Sequence, residues 1–370
     1  MYLKDLVDIQ MGQSPDSKFY NNDKIGLPFY QGKADFGRIN PIPKIWCNKS
    51  KKEAKPNDIL ISVRAPVGDL NINNEQSCIG RGLAAITCKS DVDMMYLYYH
   101  LKYLKPQLRH ISTGSTFESI NRSQLENLII DYKPYSEQIK ISNILQVVQR
   151  QIEVREKLLR LYDLLIKSRF DEFNKNNNNV KVSKLEALCT SIVRGPFGSA
   201  LKVENFVKKS DTSVKVYEQS NAIQRSAAIG SRYISREHYE SLRRFKCKPG
   251  DIIMSCSGTI GKLFILPNDA EEGIINQALC KFTLGKELLP EVFLLYMDIL
   301  IGNIEIKGSG IKNISAVKFI KNLEIPVPPI GIQSKLLFEL NQINKLKSDV
   351  QKSIDETQLL MDSLMQEYFG

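Results

Sequence analysis

The chain contains one stretch of sequence in two related copies. The first copy, KPNDILISVRAPVGDLNI, covers Lys55–Ile72, and the second, KPGDIIMSCSGTIGKLFI, covers Lys248–Ile265. Both copies keep a Lys-Pro-x-Asp-Ile start, a serine after the apolar run and a glycine in the turn that follows. An apolar run after a proline-containing turn is typical of a strand that enters a sheet. The stretch therefore predicts two similar β-rich units in one chain.

Two further pairs of segments recur at nearly the same separation. STGSTFESINRSQLENLII, from Ser112, resembles IKGSGIKNISAVKFIKNLEI, from Ile306. KPYSEQIKISNIL, from Lys133, resembles PPIGIQSKLLFEL, from Pro328. Because a period of about 190 residues stays in register over three segments, we interpret the pattern as a tandem duplication.

Each copy consists of a strand-rich segment followed by a long helical segment, which predicts an α+β fold. The stretch NKNNNNVKVS, from Asn174, is polar low-complexity sequence that cannot bury itself, and it separates the two copies. The predicted boundaries are 1–133 for the first strand-rich domain, 134–174 for the first long helix, 175–180 for the Asn-rich linker, 181–328 for the second strand-rich domain and 329–370 for the second long helix.

Both helical segments carry apolar residues at alternating spacings of four and three, which is the heptad pattern of a coiled coil. A helix of about 38 residues is roughly 57 Å long. Because both helices lie in one chain, we favour their packing on each other over a coiled coil between two chains. The duplication then predicts two antiparallel helices with pseudo-twofold symmetry and one strand-rich domain at each end. The predicted packing positions are Ile141, Leu145, Val148, Ile152, Leu159, Tyr162, Ile166, Leu336, Leu340, Ile343, Val350, Ile354, Met361 and Leu364.

The composition favours a cytoplasmic protein that binds a polyanion. Lys and Arg number 51 against 41 Asp and Glu, a formal net charge of +10, which raises the expectation of a nucleic-acid partner. No run of 18 apolar residues is present, so no membrane partner is expected. The seven cysteines form no CxxC pair, which argues against a zinc ribbon and a disulfide framework and fits a reducing cytoplasm.

Motifs for catalysis are missing from the sequence. It contains no phosphate-binding GxxxxGK[ST] loop and no GxGxxG, and its three histidines fit no zinc-binding pattern. A metal-dependent nuclease could be built on Asp251 with Glu305 and Lys307, but their separation is long for such a site. We therefore expect no catalytic residues, cofactor or metal. Two alternatives to a DNA-binding protein stay open: a coiled-coil scaffold with two protein-binding lobes, and a cryptic nuclease.

The ordered repetition resembles a known family. Each strand-rich segment is followed by a helix that begins with a proline and a glutamine, in PYSEQ, Pro134–Gln138, and PPIGIQ, Pro328–Gln333. Together with QGKADFG, from Gln31, the paired KPxDI stretches and the two Gly-Ser loops, this resembles the DNA-specificity (S) subunit of type I restriction–modification systems. The resemblance covers nearly the whole chain.

The resemblance implies a non-catalytic recognition subunit. Each strand-rich domain would be a target recognition domain that reads one half of a split, asymmetric sequence in double-stranded DNA. The long helices would space the halves and dock two methyltransferase (M) subunits, and two restriction (R) subunits would join that core. Methylation, ATP hydrolysis and cleavage would belong to those partners.

Candidate DNA contacts are polar residues in loops near the repeated strands. Base reading needs the fork of Arg or the amides of Asn and Gln, while phosphates are held by Lys, Ser, Thr and backbone amides. The predicted residues are Gln31, Lys33, Arg64, Arg81, Thr113, Ser115 and Thr116 in the first copy, and Tyr217, Gln219, Asn221, Ser257, Thr259, Asn276, Gln277, Lys307, Ser309 and Lys312 in the second.

Overall fold

The computed structural model describes residues 1–112, 118–175, 180–257, 259–306 and 320–370. The fold is mixed α+β with several sheets, and it divides into two units. The first unit consists of Met1–Arg160 and Ser348–Gly370, and the second of Leu161–Lys347. Within the described ranges, no helix is both long and apolar enough to cross a membrane.

The described residues of the first unit form two sheets, and five α-helices begin among them. Its strands are β1 (Val7–Met11), β2 (Tyr20–Asn21), β3 (Leu27–Tyr30), β4 (Trp46–Cys47), β5 (Glu53–Ala54), β6 (Ile59–Ser62), β7 (Leu70–Ile72), β8 (Ser77–Ile79) and β9 (Leu83–Cys88). Its helices are α1 (Leu3–Leu6), α2 (Met94–Tyr103), α3 (Lys105–Ile111), α4 (Arg122–Glu126) and α5 (Tyr135–Lys175). One sheet has the order β1-β9-β6-β7 and the other β2-β4-β3-β8-β5, in which only β3 and β8 are parallel.

The second unit repeats this layout. Its strands are β10 (Lys181–Lys184), β11 (Cys189–Arg194), β12 (Ser213–Tyr217), β13 (Tyr233–Ser235), β14 (Lys246–Cys247), β15 (Ile252–Ser255), β16 (Leu263–Ile265), β17 (Gly273–Ile275), β18 (Leu279–Leu284) and β19 (Glu324–Val327). Its helices are α6 (Leu185–Leu188), α7 (Gln219–Ile223), α8 (Arg236–Ser241), α9 (Pro290–Ile306) and α10 (Ile330–Phe369). The sheet β11-β18-β15-β16 corresponds to β1-β9-β6-β7, the sheet β13-β12-β17-β14 contains the matching parallel pair β12 and β17, and β10 pairs with β19.

The repeated aspartate closes the turn before each buried strand. Asp58 accepts hydrogen bonds from the backbone N–H of Lys55 and from the hydroxyl of Thr87, both at 2.7 Å. Asp251 accepts the same two kinds of hydrogen bond in the second unit, at 3.0 Å and 2.6 Å. Both carboxylates are almost fully buried, and buried polar groups are tolerated when they are hydrogen-bonded. The aspartate therefore anchors the start of β6 and of β15.

The repeated serine fixes the loop that follows each of these strands. Ser62 donates its hydroxyl proton to the carbonyl oxygen of Pro66 (2.7 Å) and accepts a hydrogen bond from the N–H of Asp69 (2.9 Å). Ser255 makes the same two hydrogen bonds, at 2.6 Å and 3.0 Å. The repeated glycine follows in each loop with a positive φ, 83° at Gly68 and 80° at Gly261, a backbone conformation that favours glycine. The loop after β6 and the loop after β15 are therefore held in the same way.

A buried glutamine secures the start of each long helix. Gln138 is 1% exposed, and its amide accepts a hydrogen bond from the N–H of Asp93 (2.9 Å) and donates to the carbonyl oxygens of Asp91 and Lys133. Gln333 makes the same three hydrogen bonds in the second unit. The proline–glutamine pattern of the sequence thus corresponds to an amide that ties α5 and α10 to the domain before them.

The predicted packing positions of the long helices lie on their covered sides. Nine are buried: Ile141, Leu145, Val148, Ile152, Leu336, Leu340, Ile343, Ile354 and Met361. Five are partly buried: Leu159, Tyr162, Ile166, Val350 and Leu364. In the first unit, the beginning of α5 shares an apolar cluster with the end of α10 and with Tyr96 and Tyr99 of α2. In the second unit, the end of α5 and the beginning of α10 belong to the main core.

The Gln138→Ala substitution is expected to destabilise the first unit by about 2–4 kcal/mol, because it leaves one N–H and two carbonyl groups without their hydrogen-bond partner. Urea unfolding followed by circular dichroism measures this loss. Lys140→Ala, at an exposed position one half-turn further along α5, is the control and should leave the midpoint unchanged. Equal stability of the two variants would contradict the role assigned to the glutamine.

Candidate nucleic-acid interface

Four of the predicted DNA contacts line one cleft of the first unit. Gln31 directly follows β3, Arg64 follows β6 and Arg81 precedes β9, so three strand ends bring them together. Lys33 completes the group, and the cleft has a volume of about 580 Å³. The side chains of all four residues are exposed. The cleft also contains Ser14, Gly32, Ala34, Asp35, Ala65, Pro66 and Gly82.

The turn that carries Arg81 is pressed against the end of β3. The N–H of Gly80 donates to the carbonyl oxygen of Tyr30 at 2.8 Å. A Cβ atom at Gly82 would overlap the carbonyl oxygen of Gln31, so this close approach requires glycine. The Arg81 N–H also donates to the hydroxyl of Ser14 at 3.3 Å. The backbone around Arg81 is therefore fixed, while its side chain projects outward.

The charges of the cleft are unevenly compensated. Lys33 lies 2.9 Å from the carboxylate of Asp69, which also pairs with Lys105. Burial alone would raise the pKa of Asp69, but the hydrogen bonds and charges of the two lysines outweigh it and lower that pKa. In contrast, the guanidinium groups of Arg64 and Arg81 form no ion pair with any residue that the structure describes. The cleft thus presents two forked cationic donors without an anionic partner.

The second unit has equivalent positions with different side chains. The N–H of Asn276 donates to the carbonyl oxygen of Tyr217 (3.0 Å), as Gly80 does to Tyr30, so Gln277 stands where the first unit has Arg81. Likewise, the residue before Ser257 donates its N–H to Ala278 (2.7 Å), as the residue before Arg64 does to Gly82 (2.9 Å). Ser257 therefore takes the place of Arg64. A serine and a glutamine replace two arginines in the same backbone frame.

The remaining predicted residues of the second unit fall into two groups. Thr259 and Gln277 are exposed, and Gln219, Ser257 and Asn276 are partly exposed. The side chain of Asn276 accepts a hydrogen bond from the N–H of Ala278 (3.0 Å), so its carbonyl oxygen is already used inside the turn. Thr259 accepts the hydrogen bond of Ser255 through its backbone, which leaves its hydroxyl at the surface.

The prediction that Tyr217 and Asn221 contact DNA is wrong, because both are fully buried. The hydroxyl of Tyr217 donates to the carbonyl oxygen of Glu271 at 2.7 Å, and burial raises its pKa. The side chain of Asn221 accepts from the N–H of Glu218 (2.8 Å) and donates to the carbonyl oxygens of Ser226 and Ile229 (both 2.9 Å). These two side chains therefore shape the loop after β12 from inside.

Six other predicted contacts lie outside the described residues. They belong to the two Gly-Ser loops and are Thr113, Ser115, Thr116, Lys307, Ser309 and Lys312. The aspartate of the nuclease alternative, Asp251, is 2% exposed, is hydrogen-bonded as described above and lies 3.6 Å from the ammonium group of Lys281. It serves the fold of the second unit.

Sequence reasoning missed two surface residues beside Gln277. The Nε of Arg194 donates to the carbonyl oxygen of Gln277 at 3.4 Å, and its guanidinium lies 5.0 Å from the ring centre of Phe197. Phe197 is 66% exposed, which is unusual for a large aromatic side chain. The available signal was the segment VRGPFG, which spans the end of β11 as MGQSP spans the end of β1, but the two segments share too few residues to align.

Comparison with known proteins gives one family over most of the chain. The model of the type I restriction modification DNA specificity domain matches residues 1–160 and 177–357. The match takes in most of both units and the greater part of both long helices.

Two curated relatives come from Methanocaldococcus jannaschii. The chain is 45% identical over 150 residues to the type I restriction enzyme MjaX specificity subunit, a match that covers 40% of this chain and 35% of that protein. It is 28% identical over 222 residues to the type I restriction enzyme MjaIX specificity subunit, covering 55% of this chain and 51% of that protein. The chain thus spans less than two thirds of the length of either relative in these matches.

Solved structures add a likeness of fold over the full length. The S subunit of a type I restriction–modification system from M. genitalium matches 100% of this chain and 95% of its own with a TM-score of 0.56 and 14% sequence identity. The HsdS subunit from Thermoanaerobacter tengcongensis is 45% identical over 41% of this chain and 37% of that chain, with a TM-score of 0.38.

The contrast between Asn221 and Gln277 can be tested by stability. Asn221→Ala removes three buried hydrogen bonds and is expected to lower the free energy of unfolding by about 1–3 kcal/mol. Gln277→Ala truncates an exposed side chain and should change it by less than about 0.5 kcal/mol. Thermal unfolding of both variants beside the unsubstituted chain measures the difference. An Asn221→Ala variant as stable as the unsubstituted chain would contradict the buried role of this side chain and would be consistent with a surface contact.

Proposed function

We propose that this chain, which belongs to the family of type I restriction–modification DNA specificity subunits, reads a bipartite, asymmetric DNA target, with one half-site for each unit. The observation that carries the proposal is the repeated frame with unlike side chains in equivalent places. Asp58 and Ser62 have counterparts in Asp251 and Ser255 that make the same hydrogen bonds. Two units with the same backbone hydrogen bonds and different exposed side chains can present two different sets of hydrogen-bonding groups to DNA.

The charges of the first cleft favour DNA over a protein ligand. Arg64 and Arg81 offer forked donors that match phosphates and base edges, and the chain as a whole carries a formal charge of +10. Gln31 adds an exposed amide at the same place, and Thr259 and Gln277 offer uncharged polar groups in the second unit. These features support DNA reading and argue against a scaffold that binds proteins through its lobes.

The target recognition domains that we propose are residues 1–133 and 181–328, and the long helices are the spacer between the half-sites. We propose that the helices pair antiparallel as a coiled coil and relate the two domains by a pseudo-twofold axis. In the first unit the beginning of α5 packs with the end of α10, and in the second unit the end of α5 packs with the beginning of α10, which supports this pairing. The Asn-rich linker at 175–180 then connects the two repeats.

Part of the helical surface suits a protein partner. Ile144, Val147 and Val154 of α5 are 43%, 61% and 59% exposed, and their spacing places them on one side of the helix, away from its buried seam. Exposed apolar residues that follow one helical face are typical of an interaction surface. We propose that this face docks a methyltransferase subunit, and that the full complex contains two methyltransferase and two restriction subunits, which perform the chemistry.

The proposed function predicts a methylation pattern that depends on this chain. In cells that produce the chain with its methyltransferase partner, sequencing of methylated bases should reveal one motif of two unlike halves separated by unspecified base pairs. Cells with the methyltransferase subunit alone should lack this motif. A methylation pattern that is the same with and without the chain would contradict the proposal.

The docking face predicts a loss of assembly without a loss of folding. The double substitution Val147→Asp with Val154→Asp should weaken binding to the methyltransferase subunit at least about tenfold, because it places charge in an apolar interface. Biolayer interferometry measures the affinity, and thermal unfolding checks the fold. The control is Gln146→Asp, which adds one negative charge about 100° around the helix from Val147 and should bind normally. Normal binding of the double variant would remove this face from the dock.

A further inference from the structure

The two units have the same backbone hydrogen bonds around their clefts, which we call the repeated frame, but different side chains at two equivalent positions. At the first position, Val63 and Cys256 make equivalent backbone hydrogen bonds, so the residues that follow them, Arg64 and Ser257, occupy equivalent places. At the second position, Arg81 and Gln277 each follow a residue whose N–H donates to an equivalent carbonyl oxygen, that of Tyr30 or Tyr217. The backbone hydrogen bonds are therefore the same in both units, while the two guanidinium groups of the first unit are replaced by a hydroxyl and an amide in the second.

A phosphate contact does not call for such a change. The sugar-phosphate backbone is chemically the same in both half-sites, so groups that only hold phosphates can stay alike in both units. Base edges differ between the half-sites, so groups that read bases must differ as well. The replacement of both arginines within an otherwise repeated frame therefore points to base reading.

The chemistry of the side chains then indicates which bases. Arginine donates two parallel hydrogen bonds to O6 and N7 of guanine, and glutamine pairs with N6 and N7 of adenine. Arg64 and Arg81 are exposed, line the same cleft and have no ion pair among the described residues, so both forks are free to bind an acceptor edge. Lys33 differs from them because it forms an ion pair with the carboxylate of Asp69.

We propose that Arg64 and Arg81 each read a guanine in the half-site of the first unit, and that Gln277 reads an adenine in the half-site of the second. This inference rests on the proposed function, because it assumes that each unit reads one half-site. It assigns the two arginines as specificity-determining residues, and it predicts a first half-site with at least two guanine-cytosine pairs.

The inference is tested with the chain in complex with its methyltransferase subunit. Binding is measured by fluorescence anisotropy on duplexes that carry the motif found by methylation sequencing, with each base pair of the motif changed in turn. The variants are Arg64→Gln, Arg81→Gln and Gln277→Ala, and Arg122→Gln on α4 is the control that removes one exposed positive charge that is not part of the cleft lining.

The expected result is local to one half-site. Arg64→Gln and Arg81→Gln should each weaken binding to the motif about 10- to 100-fold and abolish the preference for guanine at one position of one half. Gln277→Ala should relax the preference for adenine at one position of the other half. Arg122→Gln should preserve the whole motif.

Three results would overturn the inference. In the first, neither half of the motif contains two guanine-cytosine pairs. In the second, the arginine variants keep the full base preference at every position. In the third, they weaken binding to all DNA alike with a salt dependence reduced by about one charge, which marks phosphate contacts. An unsubstituted chain that directs no bipartite motif would instead contradict the proposed function.

Discussion

The hydroxyl of one serine at the end of a buried strand fixes the surface on which the rest of the proposed interface depends. Ser62 bridges a carbonyl group and an N–H group across the loop after β6, and Ser255 does so after β15. These two hydrogen bonds, the adjoining glycine and the buried side chain of Val67 together hold the path of the loop after β6. Arg64 begins this loop, and its position relative to Arg81 follows from that path. A polar contact inside the domain thereby sets the geometry of a cationic surface outside it.

The two units separate the residues that maintain the fold from those that vary. The aspartate, serine and glutamine side chains of each repeat satisfy backbone groups, and the loss of such a partner costs about 1–3 kcal/mol per group. The glycine of each repeat instead permits the positive φ of the loop. The projecting side chains of the clefts make few contacts with the protein, so their exchange costs little stability. A duplicated domain with these properties can carry two different DNA-binding surfaces on the same fold.

Much of the fold could be predicted from the sequence because its signals are periodic or repeated. The 4-3 spacing of apolar residues indicates the long helices that the structure has as α5 and α10, and the KPxDI stretches mark β6 and β15. Residues of the first unit's cleft could also be predicted from the sequence, since Gln31, Arg64 and Arg81 all adjoin strand ends. Strand ends of one sheet lie near one another, which accounts for Arg64 and Arg81 beside the neighbouring strands β6 and β9, whereas Gln31 follows β3 of the other sheet.

The errors of the sequence interpretation have a physical cause. Tyr217 and Asn221 are polar and stand near a strand end, as the cleft residues do, but their hydrogen-bonding groups turn inward to carbonyl and N–H groups of the same loop. Composition does not reveal which way such a side chain turns, because Asn and Tyr satisfy buried partners as readily as they meet water. Phe197 was missed for the converse reason: an aromatic residue is expected inside, and its exposure follows from the path of the chain after β11.

Asymmetry of the proposed target follows from the amount of freedom that each part of the chain has. The buried groups that define the frame are constrained together, because each one satisfies a partner that would otherwise be left without a hydrogen bond. Arg64 and Arg81, which have no ion pair among the described residues, are constrained mainly by what they bind. After a duplication, the frames of the two units stay alike while their clefts diverge, and the difference between Arg81 and Gln277 at one backbone position is the result of that divergence. An asymmetric target therefore requires only a few exposed side chains to change, and the stability of each unit is preserved while they do.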